Sequence, residues 1–132
     1  LLTRVHCVKE NLRRYAGTDA GMNAMIRPAM HGAYHAVICA NKMTKKPKKE
    51  YVITGPICEN GDQYKDPRML PELEEGDLLA ILDTGAYGYS MASNYNTQMM
   101  PAEVLVDGKH HALIRKRETF GEYMRLMVVH SM

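Results

Sequence analysis

Residues 55 to 62, Gly-Pro-Ile-Cys-Glu-Asn-Gly-Asp, set a thiol beside a carboxylate at what reads as the end of a strand. Successive strand side chains point to opposite faces, so Cys58 and Glu59 share one pocket only if the chain turns there. Asn60-Gly61 supplies such a turn. A thiol can hand a proton to a carbanion and a carboxylate can hold an ammonium group, which together point to amino-acid chemistry. The competing reading is structural, because a lone cysteine is most often a small buried hydrophobe.

Two further clusters carry chemistry-bearing side chains. In residues 19 to 29, Asp-Ala-Gly-Met-Asn-Ala-Met-Ile-Arg-Pro-Ala, a glycine-bearing turn delivers Arg27 to the edge of the strand layer. Its planar fork can take a carboxylate with two hydrogen bonds; the plain alternative is a surface arginine. In residues 84 to 96 small residues alternate with tyrosines, Tyr87, Tyr89 and Tyr95. Small residues let the backbone approach a ligand or another chain, and a tyrosine offers a flat face with a hydroxyl handle. For Tyr89 and Tyr95 the expected role is packing under a short helix.

The elements that must position these groups are mostly strands. Thr3–Lys9 and Arg14–Thr18 alternate β-branched and aromatic residues around a turn at Glu10-Asn11. Tyr34–Ala40 and Tyr51–Thr54 read as the next pair, joined by a solvated hairpin loop that holds the run Lys42, Lys45, Lys46, Lys48 and Lys49. Leu78–Leu82 follows the turn signal Gly76-Asp77 and reads as a buried strand. Ala102–Val106 and His110–Arg115 flank Asp107-Gly108, the strongest hairpin signal in the chain. Helix is expected over one or two turns of Asn23–Met30, limited by Pro28 and stopped by Gly32, and again after Thr119, a capping residue with Glu122 in the first turn. Short strands at near-regular spacing predict a mainly-β barrel or sandwich in one domain, residues 1–132.

Composition narrows the function. The 132 residues carry 17 basic and 15 acidic side chains, a net charge of +2, with few aromatics, so nothing suggests a nucleic-acid groove or a membrane-binding face. No stretch reaches the eighteen or so apolar residues that a membrane helix needs. Cys7, Cys39 and Cys58 are widely spaced with no zinc-like pattern, which fits free thiols in a reducing, cytoplasmic setting. The chain starts without Met in what reads as mid-strand, so a preceding segment is expected.

The clusters and their flanks resemble the C-terminal domain of the diaminopimelate decarboxylase family, in the alanine-racemase-like group of pyridoxal-phosphate enzymes. The likeness runs through Thr3-Arg4-Val5 with Val8-Lys9-Glu10-Asn11, Asp19-Ala20-Gly21-Met22-Asn23, Arg27-Pro28-Ala29 and Gly55-Pro56-Ile57-Cys58-Glu59. It continues through Gly76-Asp77-Leu78, Gly85-Ala86-Tyr87, Ser93-Asn94-Tyr95-Asn96, Pro101-Ala102-Glu103 and Arg117-Glu118-Thr119.

The resemblance implies a Greek-key-type β-barrel with short helices, partnered by a (β/α)₈ barrel that holds pyridoxal phosphate on a lysine. It also implies head-to-tail homodimers with each active site at the subunit interface. Cys58 would then reach the partner's site as proton donor, Glu59 would meet the distal ammonium of meso-diaminopimelate, Arg27 would hold the distal carboxylate, and Tyr87 would lie against the cofactor. A thiol has suitable acidity for the donor's task. Where the family pattern usually places a substrate-binding tyrosine this chain has His31, a shorter side chain that still donates a hydrogen bond, with Tyr34 about one turn onward.

A (β/α)₈ barrel needs about 250 residues, which this chain cannot contain, so it is expected to be inactive alone. A borrowed N-terminal strand is implied as well, which would leave an unpaired edge. Two alternatives stand beside this reading: the equivalent domain of another diamino-acid decarboxylase, and a non-catalytic β-domain that binds a partner chain. Cys-Glu rather than Cys-Asp at 58 to 59, together with the Arg27 cluster, favours diaminopimelate over the other diamino acids.

Overall fold

A computed structural model describes residues 1–128. β1 (Leu2–Glu10) keeps the two-residue period of a strand with one covered face: Thr3 and Val5 are buried, while Leu2, Arg4 and His6 are exposed. It turns into the antiparallel β2 (Arg14–Thr18), the register slipping between Val5 and Cys7. The remaining strands of this sheet are β3 (Val37–Cys39), β4 (Lys49–Thr54), β5 (Arg68–Leu70) and β6 (Leu78–Ile81), in the order β3-β6-β1-β2-β4-β5. Val5, Ala16, Tyr51, Ile53, Leu70, Leu79 and Ile81 fill the space it encloses. Arg68 Nε donates to the His35 carbonyl at 2.9 Å, tying β5 to the chain entering β3. The sheet therefore curls until its edges nearly meet, giving the mainly-β, barrel-like fold expected.

The expected hairpin across the lysine run is absent. β3 pairs with β6, and β4 lies parallel to β2, with Tyr15 opposite Val52. Parallel neighbours need a long crossover, which here is the whole segment between Thr18 and Lys49. The run is not uniformly solvated either. Lys42 Nζ lies 2.8 Å from Asp77 Oδ2 and 3.0 Å from the Glu72 carbonyl, and Lys49 pairs with Glu72. These two lysines fasten the loop to the acidic segment before β6, whereas Lys45, Lys46 and Lys48 are exposed.

The first helix also differs. α1 spans Arg27–His31, with Pro28 in its first turn, where a missing N–H costs nothing. Proline thus begins the helix rather than limiting one that started at Asn23. Gly32 ends it as expected, in the left-handed region at φ 62°. The strand expected from Tyr34 shortens to Val37–Cys39, and the Tyr34 ring, outside it, has its centroid 4.1 Å from the Arg68 guanidinium carbon. α2 (Gly85–Gly88) and a 3₁₀ turn at Tyr89–Met91 complete the first compact unit, Leu1–Ala92.

A second unit begins at Ser93. It holds the antiparallel pair β7 (Glu103–Asp107) and β8 (His110–Arg115), whose two-residue turn is Gly108-Lys109, one residue beyond the expected one because Asp107 still pairs with His110, with Gly108 at φ 58°. It also holds α3 (Phe120–Met124), which Thr119 caps as expected, with Glu122 completing a reciprocal cap by accepting the Thr119 N–H. Tyr95 is exposed in a single 3₁₀ turn, so the packing role expected for it is not seen.

Candidate active site

After β4 ends at Thr54 the chain closes a loop on itself. The Gly55 N–H donates to the Asp62 carbonyl at 3.1 Å, and the Asp62 N–H donates to the Glu59 carbonyl at 2.9 Å. Cys58 and Glu59 stand on the outer side of this loop, both exposed, and Glu59 Oε1 accepts the Gly61 N–H at 3.3 Å. The expected turn is present at Asn60-Gly61.

The inner side of the loop belongs to Asp62, only 5% exposed. Its Oδ2 accepts the Ile57 N–H at 2.7 Å and its Oδ1 accepts the Met22 N–H at 2.6 Å. Burial pushes the Asp62 carboxyl up, and the two N–H bonds offset part of that rise. Gly21 and Gly55 flank the carboxylate. A Cβ on either would fall inside the envelope of both oxygens, and one on Gly55 would also overlap Gly21 Cα. The loop that carries Cys58 thus abuts the turn that leads to Arg27.

That turn is ordered by its own bonds. The N–H groups of Ala24 and Met25 both donate to the Gly21 carbonyl, at 2.9 and 3.0 Å, and Asn23, Ala24 and Met25 are buried. Arg27 opens α1 half-buried, and among the described residues its Nε has no hydrogen-bond partner. Its guanidinium carbon lies 5.0 Å from the centroid of the Tyr87 ring, which α2 presents 57% exposed. His31 stands one turn beyond Arg27 on the same face of α1 and is exposed.

The three clusters therefore form one continuous path: the Cys58 loop, Asp62, the Gly21 turn, Arg27 and Tyr87. Arg27 and Tyr87 meet directly. The Cys58 loop and the Arg27 segment meet through Asp62, a residue that the sequence reading passed over. The signal was an acidic residue closing a Gly-Pro-bounded loop, but a carboxylate beside Asn-Gly reads as ordinary turn chemistry. Tyr34, by contrast, is engaged with Arg68. Among the described residues no group of three or more His, Cys, Asp and Glu side chains is placed to hold a metal ion, and no helix is long and apolar enough to cross a membrane.

Known proteins resemble this chain in sequence and fold. Residues 1–85 match the family described as pyridoxal-dependent decarboxylase, C-terminal sheet domain. The chain is 46% identical over 125 residues to the diaminopimelate decarboxylase of Methanothermobacter thermautotrophicus, covering 95% of this chain and 29% of that enzyme. The structure of the M. jannaschii diaminopimelate decarboxylase in complex with L-lysine superposes with a TM-score of 0.91 at 44% identity, over 98% of this chain and 30% of that one. The Helicobacter pylori enzyme complexed with L-lysine gives a TM-score of 0.84 at 39% identity, over 96% of this chain and 31% of that one. The chain thus spans under a third of the length of these relatives. From the curled sheet and the matched residues it follows that the chain belongs to the pyridoxal-dependent decarboxylase family, of which it carries the C-terminal sheet domain.

Proposed function

We propose that this chain is the C-terminal part of a diaminopimelate decarboxylase, the enzyme that removes carbon dioxide from meso-2,6-diaminopimelate to leave L-lysine. The reading is carried by the 46% identity to such an enzyme across 95% of the chain. The L-lysine held by the M. jannaschii relative supports a product of that shape.

In this reading Cys58 holds a proton on Sγ and delivers it to the α-carbon once carbon dioxide has left. Glu59 meets the distal ammonium and Arg27 takes the distal carboxylate with its planar fork. His31, one turn along α1, adds a hydrogen bond beside that carboxylate. A site built around a matched distal cation and anion rejects substrates lacking either charge, because its own groups would be left unpaired.

Pyridoxal phosphate, when bound, accepts the electrons released by decarboxylation. The residues of this chain fit one edge of that group and not its seat. Tyr87 offers a largely exposed flat ring, and Arg27 beside it has a buried Nε with no partner among the described residues. The lysine linkage and the phosphate cradle belong to a (β/α)₈ barrel domain, supplied in the same polypeptide or as a second chain. The complete enzyme is a homodimer in which Cys58 and Glu59 complete the partner's site. Free thiols on Cys7 and Cys39 fit a cytoplasmic setting.

The test combines this chain with the barrel domain, pyridoxal phosphate and meso-diaminopimelate, and follows lysine and carbon dioxide. Turnover is expected with both parts present and none with either alone. Full turnover by Cys58→Ala would remove the proposed proton donor.

A further inference from the structure

We propose that Asp62 is a positioning residue: its buried carboxylate holds the backbone that carries Cys58 and Glu59 at a fixed offset from the segment that leads into Arg27. The inference rests on the reading above, in which those side chains serve one reaction.

The geometry is that of a two-sided clamp. One oxygen takes the Ile57 N–H at 2.7 Å, immediately before Cys58, and the other takes the Met22 N–H at 2.6 Å. The main chain of Asp62 closes the same loop through Gly55 and Glu59. The seat is tight, because the backbones of Gly21 and Gly55 come so near the carboxylate that neither can carry a Cβ without a shift. Arg27 has a second anchor in Tyr87. Loosening Asp62 should therefore move Cys58 relative to the reacting carbon more than it moves Arg27.

Asparagine at 62 keeps the size but sets an amide NH₂ against one of two N–H donors. Glutamate keeps both acceptors but adds a methylene to a space bounded by two glycines. In the full-length enzyme carrying this segment, Asp62→Asn is expected to lower kcat at least tenfold with KM rising no more than about threefold, since roughly 1 Å of misplacement can cost a hundredfold in rate. Asp62→Glu, which retains the charge, is expected not to rescue it.

A second measurement needs no turnover and no variant. Amide hydrogen exchange on the 132-residue chain should show the Ile57 and Met22 N–H groups protected by a common factor once each rate is divided by its intrinsic exchange rate, because one carboxylate holds both. Unrelated protection factors for the two amides overturn the clamp, whether or not Asp62→Asn folds. Linked exchange with wild-type kcat and KM in folded Asp62→Asn overturns the positioning role. Neither result depends on Cys58→Ala, whose full activity would instead remove the underlying reading of the reaction.

Discussion

The guanidinium carbon of Arg27, at the first turn of α1, lies 5.0 Å from the centroid of the Tyr87 ring on α2. They are 60 positions apart in the sequence, yet the contact orients a fork whose Nε finds no hydrogen-bond partner among the described residues. Lysine at 27 keeps the charge and loses the plane. On the proposed role of Arg27 as the grip on the distal carboxylate, Arg27→Lys in the enzyme completed by its barrel domain is expected to raise KM for meso-diaminopimelate at least tenfold with a smaller change in kcat, measured by steady-state kinetics. A double-mutant cycle of Arg27→Lys with Tyr87→Leu should show a coupling of about 0.5–1 kcal/mol in denaturant unfolding.

Close approach of Gly21 and Gly55 around Asp62 makes a prediction about stability alone. Gly55→Ala forces a Cβ against backbone atoms that cannot swing aside, and is expected to cost ~2 kcal/mol or more. Gly85→Ala, at a position with open space around it, should be neutral or gain up to about 0.5 kcal/mol. Urea unfolding of both variants beside the parent checks the contrast, and equal costs would refute the packing argument.

Acid should unfold the domain partly through Asp77. Burial is the largest single influence on this carboxyl and pushes it up. Bonds from Lys42, the Asn41 amide and the Glu74 N–H outweigh that push, so it sits below the usual aspartate range. The unfolded chain then takes up this proton at a higher pH than the folded one. The resulting stability is fully present above the ordinary aspartate pKa and disappears as pH falls through the folded value. Asp77→Asn should flatten this part of the acid limb in denaturation followed between about pH 6 and 3. Lys42, held above its usual range chiefly by its hydrogen bond to Asp77, supplies the alkaline counterpart: its stabilisation persists below the ordinary lysine pKa and is lost as pH rises through the folded one.

Closure of the sheet depends on Arg68, which is 4% exposed. Its Nε bonds the His35 carbonyl at 2.9 Å, another guanidinium nitrogen bonds the Asp66 carbonyl, and Tyr34 and Tyr64 lie 4.1 and 5.9 Å from its guanidinium carbon. Arg68→Met should cost about 2–4 kcal/mol by stranding the carbonyls and removing the cation from between two rings. The expected signature is early amide exchange in β3 and β5, with β1 and β2 retaining protection. Uniform loss across the sheet would show that Arg68 does not act at the closure.

Where structure follows from neighbouring residues, the chain announces it. Asp107-Gly108 signals its hairpin, whose turn is Gly108-Lys109, because glycine accepts φ 58° without strain. Gly32 stops α1 in the left-handed region, Thr119 caps α3 through Glu122, and β2 spans Arg14–Thr18 as its alternation requires. The runs carrying Cys58, Arg27 and Tyr87 could be picked out as contiguous residue types suited to a stated chemistry, while the roles proposed for them rest on the family resemblance.

Pairings between distant segments left no such mark. A run such as Val37–Cys39 is a strand whichever neighbour it finds, and only the assembled core selects β6 over β4. β5, three residues long, is too short to show a period and exists because β4 and Arg68 hold it. Whether Lys42 sits in solvent or on Asp77, and whether Asp62 serves a turn or joins two loops, depends on backbones brought together from segments distant in sequence. Local rules act over one turn or one hairpin. Long-range placement is settled by which arrangement buries the apolar faces together while leaving every enclosed carboxylate a donor.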